Sequence, residues 1–271
     1  MGGLSQKYRL ERFLTALRSF ATIKAMTTSA NHGKLALVTG ANKGIGYEIA
    51  RGLAKQGMTV LLGCRDLNRG ETAAGRLAHE GLSAVPLLLD VSREETIRAA
   101  AAEIDSKYGK LDVLVNNAGI AMEFGAQPSQ ANLDLVRQVY ETNLFGPMAA
   151  IQAMLPLLLR SNAGRIVNVS SGLGSLSLSS DPNSPYANFR NLGYNSSKTA
   201  LNAVTLLFAN ELRDTPVKVN AIDPGYVATD LNNNSGPRTP EQGAQIAIQM
   251  ATIGADGPTG GYFNDEGRIP W

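Results

Sequence analysis

A glycine-rich turn that follows a short apolar run constrains the fold of this chain more than any other stretch. The apolar run is Leu35–Thr39, and the turn Thr39–Gly46 (TGANKGIG) leads into a helical pattern that extends to Ala54. A strand, a turn and a helix of this kind form the phosphate-binding corner of a dinucleotide-binding fold. Glycine lets the backbone approach a pyrophosphate, and the helix N-terminus offers free N–H groups. Because the spacing is Gly-x-x-x-Gly-x-Gly, an ordinary tight turn is the alternative interpretation.

Short apolar runs and helical patterns alternate along the rest of the chain. The predicted strands are 35–39, 59–63, 84–89, 111–115, 165–169 and 217–222, with a final edge strand at 260–263. The later predicted helices are 67–79, 93–108, 132–160 with kinks at Pro147 and Pro156, 194–213 and 240–251. Residues 172–193 lack periodicity and are predicted to form a surface loop. The alternation predicts one doubly wound α/β (Rossmann) domain, residues 32–271, with about seven parallel strands and helices on both faces.

Polar or glycine-containing motifs follow the carboxyl ends of the later predicted strands. They are Asp90-Val91, Asn116-Asn117-Ala118-Gly119, Ser170-Ser171 and the run from Asp223-Pro224-Gly225 through Val227 to Thr229. Ligands of open α/β sheets bind beyond the carboxyl ends of the strands, so these motifs predict a single active site. Asp90 is placed to accept a hydrogen bond from an adenine amino group, or else it prepares the N-terminus of the next helix.

The predicted chemistry depends on Tyr194 and Lys198, which are four residues apart at the start of a helical pattern. Residues at i and i+4 share a helix face, so the ammonium group is expected near the phenol. A nearby cation favours the phenolate and lowers the phenol pKa from about 10. Such a tyrosine exchanges a proton with an alcohol or carbonyl oxygen. Taken alone, the pair also fits a surface tyrosine beside a solvated lysine.

Two basic residues predict NADP as the cofactor. Arg65 follows the second predicted strand, where NAD-binding folds place an acidic residue for the ribose 2′-hydroxyl. An arginine there suits a 2′-phosphate, and Lys43 in the glycine turn adds a second cation. Ordinary solvated charge is the alternative for both. Asp66 lies one residue after the position at which an acidic residue would bind the ribose 2′-hydroxyl of NAD.

Charge and composition exclude several classes of function. A net charge of +2 does not favour nucleic acid or an acidic membrane surface as a partner. The single cysteine, Cys64, precludes an intramolecular disulfide and a cysteine metal cluster, and His32 and His79 lack ligand spacing, so no metal is predicted. No apolar run approaches the length of about 18 residues that spans a bilayer. We therefore expect a soluble, cytoplasmic protein.

Residues 1–31 form an N-terminal extension that differs from the pattern after it. They contain five basic residues from Lys7 to Lys24 against the single acid Glu11. This composition resembles an organellar transit peptide. The preferred alternative is a misread start, with the true start at Met26, because the predicted fold begins at Lys34. Organellar import remains open if the extension is real.

Together these motifs resemble the short-chain dehydrogenase/reductase family from about Lys34 to Phe263. The residues that carry the resemblance are Thr39-Gly40-x-x-x-Gly44-x-Gly46, Asn116-Asn117-Ala118-Gly119, Asn143, Ser171, Tyr194-x-x-x-Lys198 and Pro224-Gly225-x-x-x-Thr229. Lys43, Arg65 and the enlarged segment before Tyr194 are most similar to NADPH-dependent carbonyl reductases.

The resemblance implies a catalytic set of Asn143, Ser171, Tyr194 and Lys198. Tyr194 would donate a proton to the carbonyl oxygen as hydride arrives from NADPH, and Ser171 would hydrogen-bond that oxygen, with Ser170 as the alternative. Lys198 would lower the Tyr194 pKa and hold the nicotinamide ribose, and Asn143 would position a relay water. Tyr186 is set aside, because Arg190 replaces the lysine four residues on. The implied cofactor contacts are Gly40, Asn42, Lys43, Gly44, Ile45, Gly46, Arg65, Asp90, Val91, Asn117, Ala118, Gly119, Tyr194, Lys198, Pro224, Gly225, Val227 and Thr229.

The expected function is reduction of an aldehyde or ketone to an alcohol with NADPH. A 3-oxoacyl-thioester reductase and a steroid or sugar alcohol dehydrogenase remain open, as does a non-catalytic NADP-binding regulator. The gap between Ser171 and Tyr194 is longer than in compact tetrameric members of the family. The extra residues would obstruct a subunit interface, so a monomer or dimer is expected rather than a tetramer.

Overall fold

The structure is a computed structural model that describes residues 31–123 and 125–271, so the predicted extension lies outside the described residues except for Asn31. The strands are β1 (Leu35–Thr39), β2 (Thr59–Cys64), β3 (Ala84–Leu88), β4 (Val113–Asn116), β5 (Arg165–Val169), β6 (Lys218–Ile222), β7 (Gly261–Asn264) and β8 (Gly267–Arg268). The helices are α1 (Gly44–Lys55), α2 (Leu67–His79), α3 (Glu94–Tyr108), α4 (Leu133–Tyr140), α5 (Gly146–Leu158), α6 (Leu176–Ser180), α7 (Leu192–Glu211) and α8 (Pro240–Ala251).

The strands form one sheet in the order β3-β2-β1-β4-β5-β6-β7-β8. The pairings from β3 to β7 are all parallel, which confirms the predicted doubly wound α/β fold. The order reverses direction at β1 and β4, the switch point beside which such sheets bind ligands. The predicted edge strand is not at the edge, because the chain turns after Asn264 and β8 pairs with β7 in antiparallel fashion. The sheet therefore has eight strands in the described part of the chain.

Helices cover both faces of the sheet, as predicted, and each face has its own hydrophobic core. Ala36 and Val38 of β1 pack into the core beneath α1, α2 and α8. Leu35 and Leu37 of the same strand pack into the opposite core, with residues of α3 and α5. This alternation follows from the two-residue period of a strand, and burial on both faces explains why residues 35–38 of the strand are all apolar.

The long helix predicted at 132–160 is interrupted, but the two prolines are not the main cause. Residues Glu141–Phe145 form a π-helical segment between α4 and α5. Both prolines lie in α5. Pro147 is in its first turn, where a missing N–H costs little, whereas Pro156 is in the interior of the helix. The irregularity thus precedes the predicted kink at Pro147. It contains Asn143, in keeping with the tendency of π-bulges to occur at functional sites.

The segment 172–193, predicted to be a loop, contains two short helical elements. A 3-10 turn spans Gly172–Gly174, and α6 follows it. Both are too short for a periodic pattern to be visible in the sequence. Helix α7 begins at Leu192, two residues earlier than predicted, because the Asn191 side chain accepts a hydrogen bond from the Tyr194 N–H and caps the helix.

None of the helices in the described ranges is both long enough and apolar enough to cross a membrane.

Candidate active site

A cleft of about 900 Å³ opens at the carboxyl ends of the central strands. It is lined by residues from several turns that the sheet order brings together. Of the residues proposed for the site, the cleft includes Ile45, Asn117, Gly119, Ser171, Tyr194, Lys198, Pro224, Gly225, Val227 and Thr229, and it also includes Ser170. Motifs that follow β1, β4, β5 and β6 therefore meet at one cleft, whereas Asp90-Val91, which follows β3, does not line it.

The glycine turn between β1 and α1 has backbone angles and packing that favour glycine, so that a ligand could approach its backbone closely. Gly40 and Gly44 have φ angles of +66° and +58°, in the left-handed region that favours glycine. A β-carbon at Gly46 would lie 2.5 Å from the Gly40 carbonyl oxygen and 2.4 Å from Asn117 Nδ2. The turn thus packs too tightly for any side chain at Gly46, and the N-terminus of α1 is directed to the ligand edge of the sheet. These features fit a dinucleotide pyrophosphate.

The turn after β4 braces the glycine corner. The Thr39 hydroxyl accepts hydrogen bonds from the N–H groups of Asn117 and Ala118, both at 3.0 Å. Asn117 Nδ2 donates to the Thr39 carbonyl at 2.9 Å. The Asn117 amide therefore closes the corner. Thr39 has a structural role that the sequence analysis did not assign.

Tyr194 and Lys198 lie in the first two turns of α7 and both line the cleft. Lys198 Nζ is 5.6 Å from the centre of the Tyr194 ring and donates a hydrogen bond to the Val169 carbonyl at 2.7 Å. Lys198 is buried, whereas Tyr194 is half-buried. The side chains share a helix face as predicted, but the ammonium group is held at the end of β5 and faces the phenol ring.

The expected lowering of the Tyr194 pKa by Lys198 is not found in this arrangement. Loss of water around the phenol raises the pKa of Tyr194 to about 12, partly opposed by a hydrogen bond with Ser171 and reinforced by the charge of Asp223. Burial lowers the pKa of Lys198 to about 8. At neutral pH the phenol is therefore protonated, and Lys198 still carries its charge in most molecules. Desolvation therefore dominates the pKa of Tyr194, and the ammonium group of Lys198 is directed to the Val169 carbonyl.

Ser170 and Ser171 have different surroundings, which separates the two candidates. The Ser171 hydroxyl interacts with the Tyr194 phenol and accepts a hydrogen bond from the Leu173 N–H at 3.3 Å. The buried Ser170 hydroxyl instead donates to Asn202 Oδ1 at 2.6 Å. Ser171 is therefore positioned to share a substrate oxygen with Tyr194, whereas Ser170 ties β5 to α7.

Asn143 lies behind the cleft and is fully buried. Its Nδ2 donates to the Ile120 carbonyl at 2.9 Å and to the Ser197 hydroxyl at 3.1 Å, and its Oδ1 accepts from the Ile120 N–H at 2.8 Å. A β-carbon at Gly119 would lie 3.4 Å from Asn143 Oδ1 and 3.6 Å from Lys198 Nζ. Asn143 thus lies close to Lys198 and fixes the turn after β4. Its role in a water relay stays a prediction.

The residues proposed to select NADP occupy exposed positions. Arg65 is exposed directly after β2, whereas Lys43 forms an exposed ion pair with Asp230. Asp66 caps α2 by accepting a hydrogen bond from the Arg69 N–H at 3.2 Å, so its carboxylate has a structural use. Asp90 Oδ1 accepts hydrogen bonds from the Ser92 N–H at 3.0 Å and the Ser92 hydroxyl at 2.7 Å, which agrees with the alternative structural role considered for it.

Six of the proposed cofactor contacts, in addition to Arg65, Asp90 and Val91, do not line the cleft: Gly40, Asn42, Lys43, Gly44, Gly46 and Ala118. Val91 is buried against Gly146, where a β-carbon would lie 2.6 Å from the Val91 carbonyl oxygen. Val227 is buried against Gly243, which ties the turn after β6 to α8. The loop beyond that turn continues through Thr229 into the 3-10 turn Asp230–Asn232.

Two residues that were not predicted as catalytic or cofactor-binding, Asp223 and Tyr186, also line the cleft. Asp223 is 4% exposed, and the Tyr186 hydroxyl lies 3.5 Å from Asp223 Oδ2. The available signal was an acidic residue immediately before Pro224-Gly225, at the end of an apolar strand. A buried carboxylate is rare without partners, so that position indicated a cluster although it did not identify the partners.

Comparisons with known proteins agree with this geometry. The model of the protein family described as "short chain dehydrogenase" matches residues 34–240 of this chain. The short-chain dehydrogenase anuI of Penicillium roqueforti is 35% identical over 82% of this chain and 89% of its own length. Carbonyl reductase [NADPH] 1 of Rattus norvegicus is 32% identical over 88% of this chain and 98% of its own length.

Among solved structures, a gluconate 5-dehydrogenase of Burkholderia cenocepacia, in complex with NADP and tartrate, is similar to this chain. The TM-score is 0.76 at 27% sequence identity, and the match covers 86% of this chain and 93% of the other. The family match spans both the glycine corner and the Tyr194–Lys198 pair. The chain belongs to the short chain dehydrogenase family of oxidoreductases.

Proposed function

We propose that this oxidoreductase is an NADPH-dependent carbonyl reductase that converts an aldehyde or ketone to an alcohol. The observation that carries the proposal is the grouping of Ser171, Tyr194 and Lys198 in one cleft, together with Ile45 and Asn117 of the cofactor corner. Support for carbonyl chemistry comes from the similarity to a carbonyl reductase named for NADPH. Support for NADP comes from the similar structure that contains it.

In the proposed mechanism, Tyr194 Oη donates a proton to the carbonyl oxygen of the substrate. The phenol is in its protonated form at neutral pH because desolvation holds its pKa at about 12. Ser171 Oγ donates a hydrogen bond to the same oxygen, on which negative charge develops during the reaction. Together the two hydroxyls orient the carbonyl carbon towards the cofactor. When bound, NADPH supplies the hydride.

The remaining residues would hold the cofactor and keep the site rigid. The glycine corner Gly40–Gly46 and the N-terminus of α1 would bind the pyrophosphate, and Lys198 would hold the nicotinamide ribose. Asn117 fixes the corner through the Thr39 carbonyl. Pro224, Gly225 and Thr229, which line the same cleft, would border the carboxamide. Asn143, which lies behind the cleft, would hold the turn after β4 by accepting a hydrogen bond from the Ile120 N–H.

A panel of aldehydes and ketones with NADPH tests the proposal. Loss of NADPH absorbance with at least one simple carbonyl class is expected, and no turnover across the panel would contradict carbonyl reduction. Including a 3-oxoacyl thioester, a steroid and a sugar ketone in the panel separates the alternative reductases. A non-catalytic regulator would bind NADPH and leave its absorbance unchanged.

Replacing the two neighbouring serines separately is expected to give different results. Ser171→Ala should lower kcat about a hundredfold or more, because a hydrogen bond to the developing oxyanion is lost. Ser170→Ala should lower thermal stability through the lost bond to Asn202 while leaving more of the turnover. Steady-state kinetics and thermal unfolding on both variants measure this. Equal kinetic losses, or a larger loss for Ser170→Ala, would reverse the assignment.

Cofactor selection is the second measurable feature. The ratio of kcat/KM with NADPH to that with NADH should exceed one, and Arg65→Ala should lower it about tenfold, because a charge-assisted bond to the 2′-phosphate is lost. Arg98→Ala is the matched control, since Arg98 is an exposed arginine paired with Glu94. Parity of the two cofactors in the unmodified protein would contradict the NADP proposal.

The proposed partner is a small-molecule carbonyl or alcohol, with neither nucleic acid nor a membrane. A monomer or dimer is proposed rather than a tetramer, because the segment 172–193 precedes α7 and adds α6 at that surface. A cytoplasmic location is proposed on the basis of the single cysteine.

A further inference from the structure

Asp223 joins three segments that surround the cleft. It follows β6, and its Oδ1 accepts a hydrogen bond from the Gly225 N–H at 3.0 Å. The Gly172 N–H lies close enough to this carboxylate to lower its pKa. Since Gly172 directly follows Ser171, one buried side chain fixes both the turn that carries the catalytic serine and the turn that borders the cofactor. Buried carboxylates are costly to retain unless their oxygens are satisfied in this way.

Tyr186 is the third partner of this carboxylate. Its hydroxyl is 3.5 Å from Asp223 Oδ2, at the outer limit of a hydrogen bond. A β-carbon at Gly172 would lie 2.5 Å from the Tyr186 ring, so the ring packs directly on the backbone of the serine turn. Tyr186 lines the cleft together with Pro185 and Phe189 of the same segment. The contacts of Tyr186 with Gly172 and Asp223 therefore hold in place the aromatic side of the cleft that Tyr186 and Phe189 form.

We propose that Asp223 is a positioning residue, which fixes the Ser171–Gly172 turn for catalysis and, through Tyr186, fixes the wall against which bulky substrates bind. The inference rests on the proposed carbonyl reduction and assigns the two roles to different contacts of the carboxylate. The backbone contacts to Gly172 and Gly225 govern turnover. The contact to the Tyr186 phenol governs the binding of substrates large enough to reach it.

The surrounding charges are consistent with a carboxylate that has a defined set of partners. Burial raises the pKa of Asp223, while the N–H groups of Gly225 and Gly172, the Tyr186 phenol and Arg238 all oppose this shift. Burial raises the pKa of Tyr186, Tyr194 and Tyr262, and the charge of the Asp223 carboxylate adds to each shift. These tyrosines face Asp223 from the segment 172–193, α7 and β7. Arg238 forms an ion pair with Asp265, so it only partly compensates the charge of Asp223.

The test is a double-mutant cycle with Asp223→Asn, Tyr186→Phe and the double variant, using NADPH with a small aldehyde and a bulky aromatic ketone. Asp223→Asn should lower kcat for both substrates about tenfold or more, the effect of losing a bond to a charged group. Tyr186→Phe should raise KM for the bulky ketone about fivefold more than KM for the small aldehyde. Asp223→Asn should also raise KM for the ketone, and the double variant should show less than the combined effect of the two single changes, because both weaken the same contact.

Several outcomes would overturn the inference. Unchanged kcat in Asp223→Asn excludes the role in turnover, and additive KM effects in the double variant exclude the action through Tyr186. A purely structural role would lower thermal stability and leave kcat and KM of the folded fraction unchanged. If Asp223→Asn does not fold, Asp223→Ser, whose hydroxyl still accepts one N–H, should show the same kinetic losses. Absence of turnover in the unmodified protein would instead contradict the proposed function, since the cycle measures ratios between active proteins.

Discussion

Tyr194→Phe is expected to remove nearly all carbonyl reduction, with a fall in kcat of about a thousandfold, because a proton donor positioned at the reacting oxygen is lost. The ring is retained, so the half-buried packing of α7 and the contact of Lys198 with the ring face should persist. NADPH binding, measured by fluorescence titration, should therefore stay within about threefold of the unmodified protein. The measurement is kcat with the best substrate from the panel.

Tyr186→Phe is the matched control for this change, because it removes a second phenol hydroxyl from the same cleft. It should retain turnover of small aldehydes. If Tyr194→Phe kept substantial activity, another group would have to donate the proton, and the proposed mechanism would be wrong. Loss of NADPH binding in the same variant would indicate that the substitution acts through structure.

Gly46→Ala should abolish or severely weaken cofactor binding, with an affinity loss of about a hundredfold, because the turn must move apart to admit a methyl group. The added β-carbon would lie 2.5 Å from the Gly40 carbonyl oxygen and 2.4 Å from Asn117 Nδ2. The first of these contacts is with backbone and cannot be relieved by a side-chain rotation. The change therefore acts on the pyrophosphate corner and on the Asn117 brace together. NADPH titration and thermal unfolding measure both effects.

Gly75→Ala is the control for Gly46→Ala. Gly75 lies in α2, its φ angle is not in the left-handed region, and a β-carbon there would have no heavy atom within 4 Å. Alanine favours a helix by about 0.5–1 kcal/mol over glycine, so this variant should be slightly more stable and bind NADPH normally. Unchanged NADPH affinity in Gly46→Ala would show that the cofactor does not use this corner.

Two features of α7 show what helical spacing can and cannot predict about the side chains of Tyr194 and Lys198. Spacing four residues apart placed Tyr194 and Lys198 on one face, and the structure agrees. The same spacing predicted a lowered phenol pKa, which is wrong here because loss of water around the phenol raises that pKa. The lysine instead donates to the Val169 carbonyl, at the end of β5. Helical periodicity fixes which face a residue occupies, but the direction of a long side chain depends on partners distant in sequence.

The order of strands and helices and the glycine corner followed from the sequence, as did the expectation that the site lies at the carboxyl ends of the strands. Hydrophobic periodicity and turn residues act over short stretches, and parallel strands place their carboxyl ends at one edge whatever the details of packing. The tertiary structure alone decided the different hydrogen-bond partners of Ser170 and Ser171, the π-helical setting of Asn143 and the contacts that join Asp223, Gly172 and Tyr186. The Asp223–Tyr186 contact joins groups 37 positions apart, and desolvation is a property of the folded surroundings. Neither is encoded in local spacing.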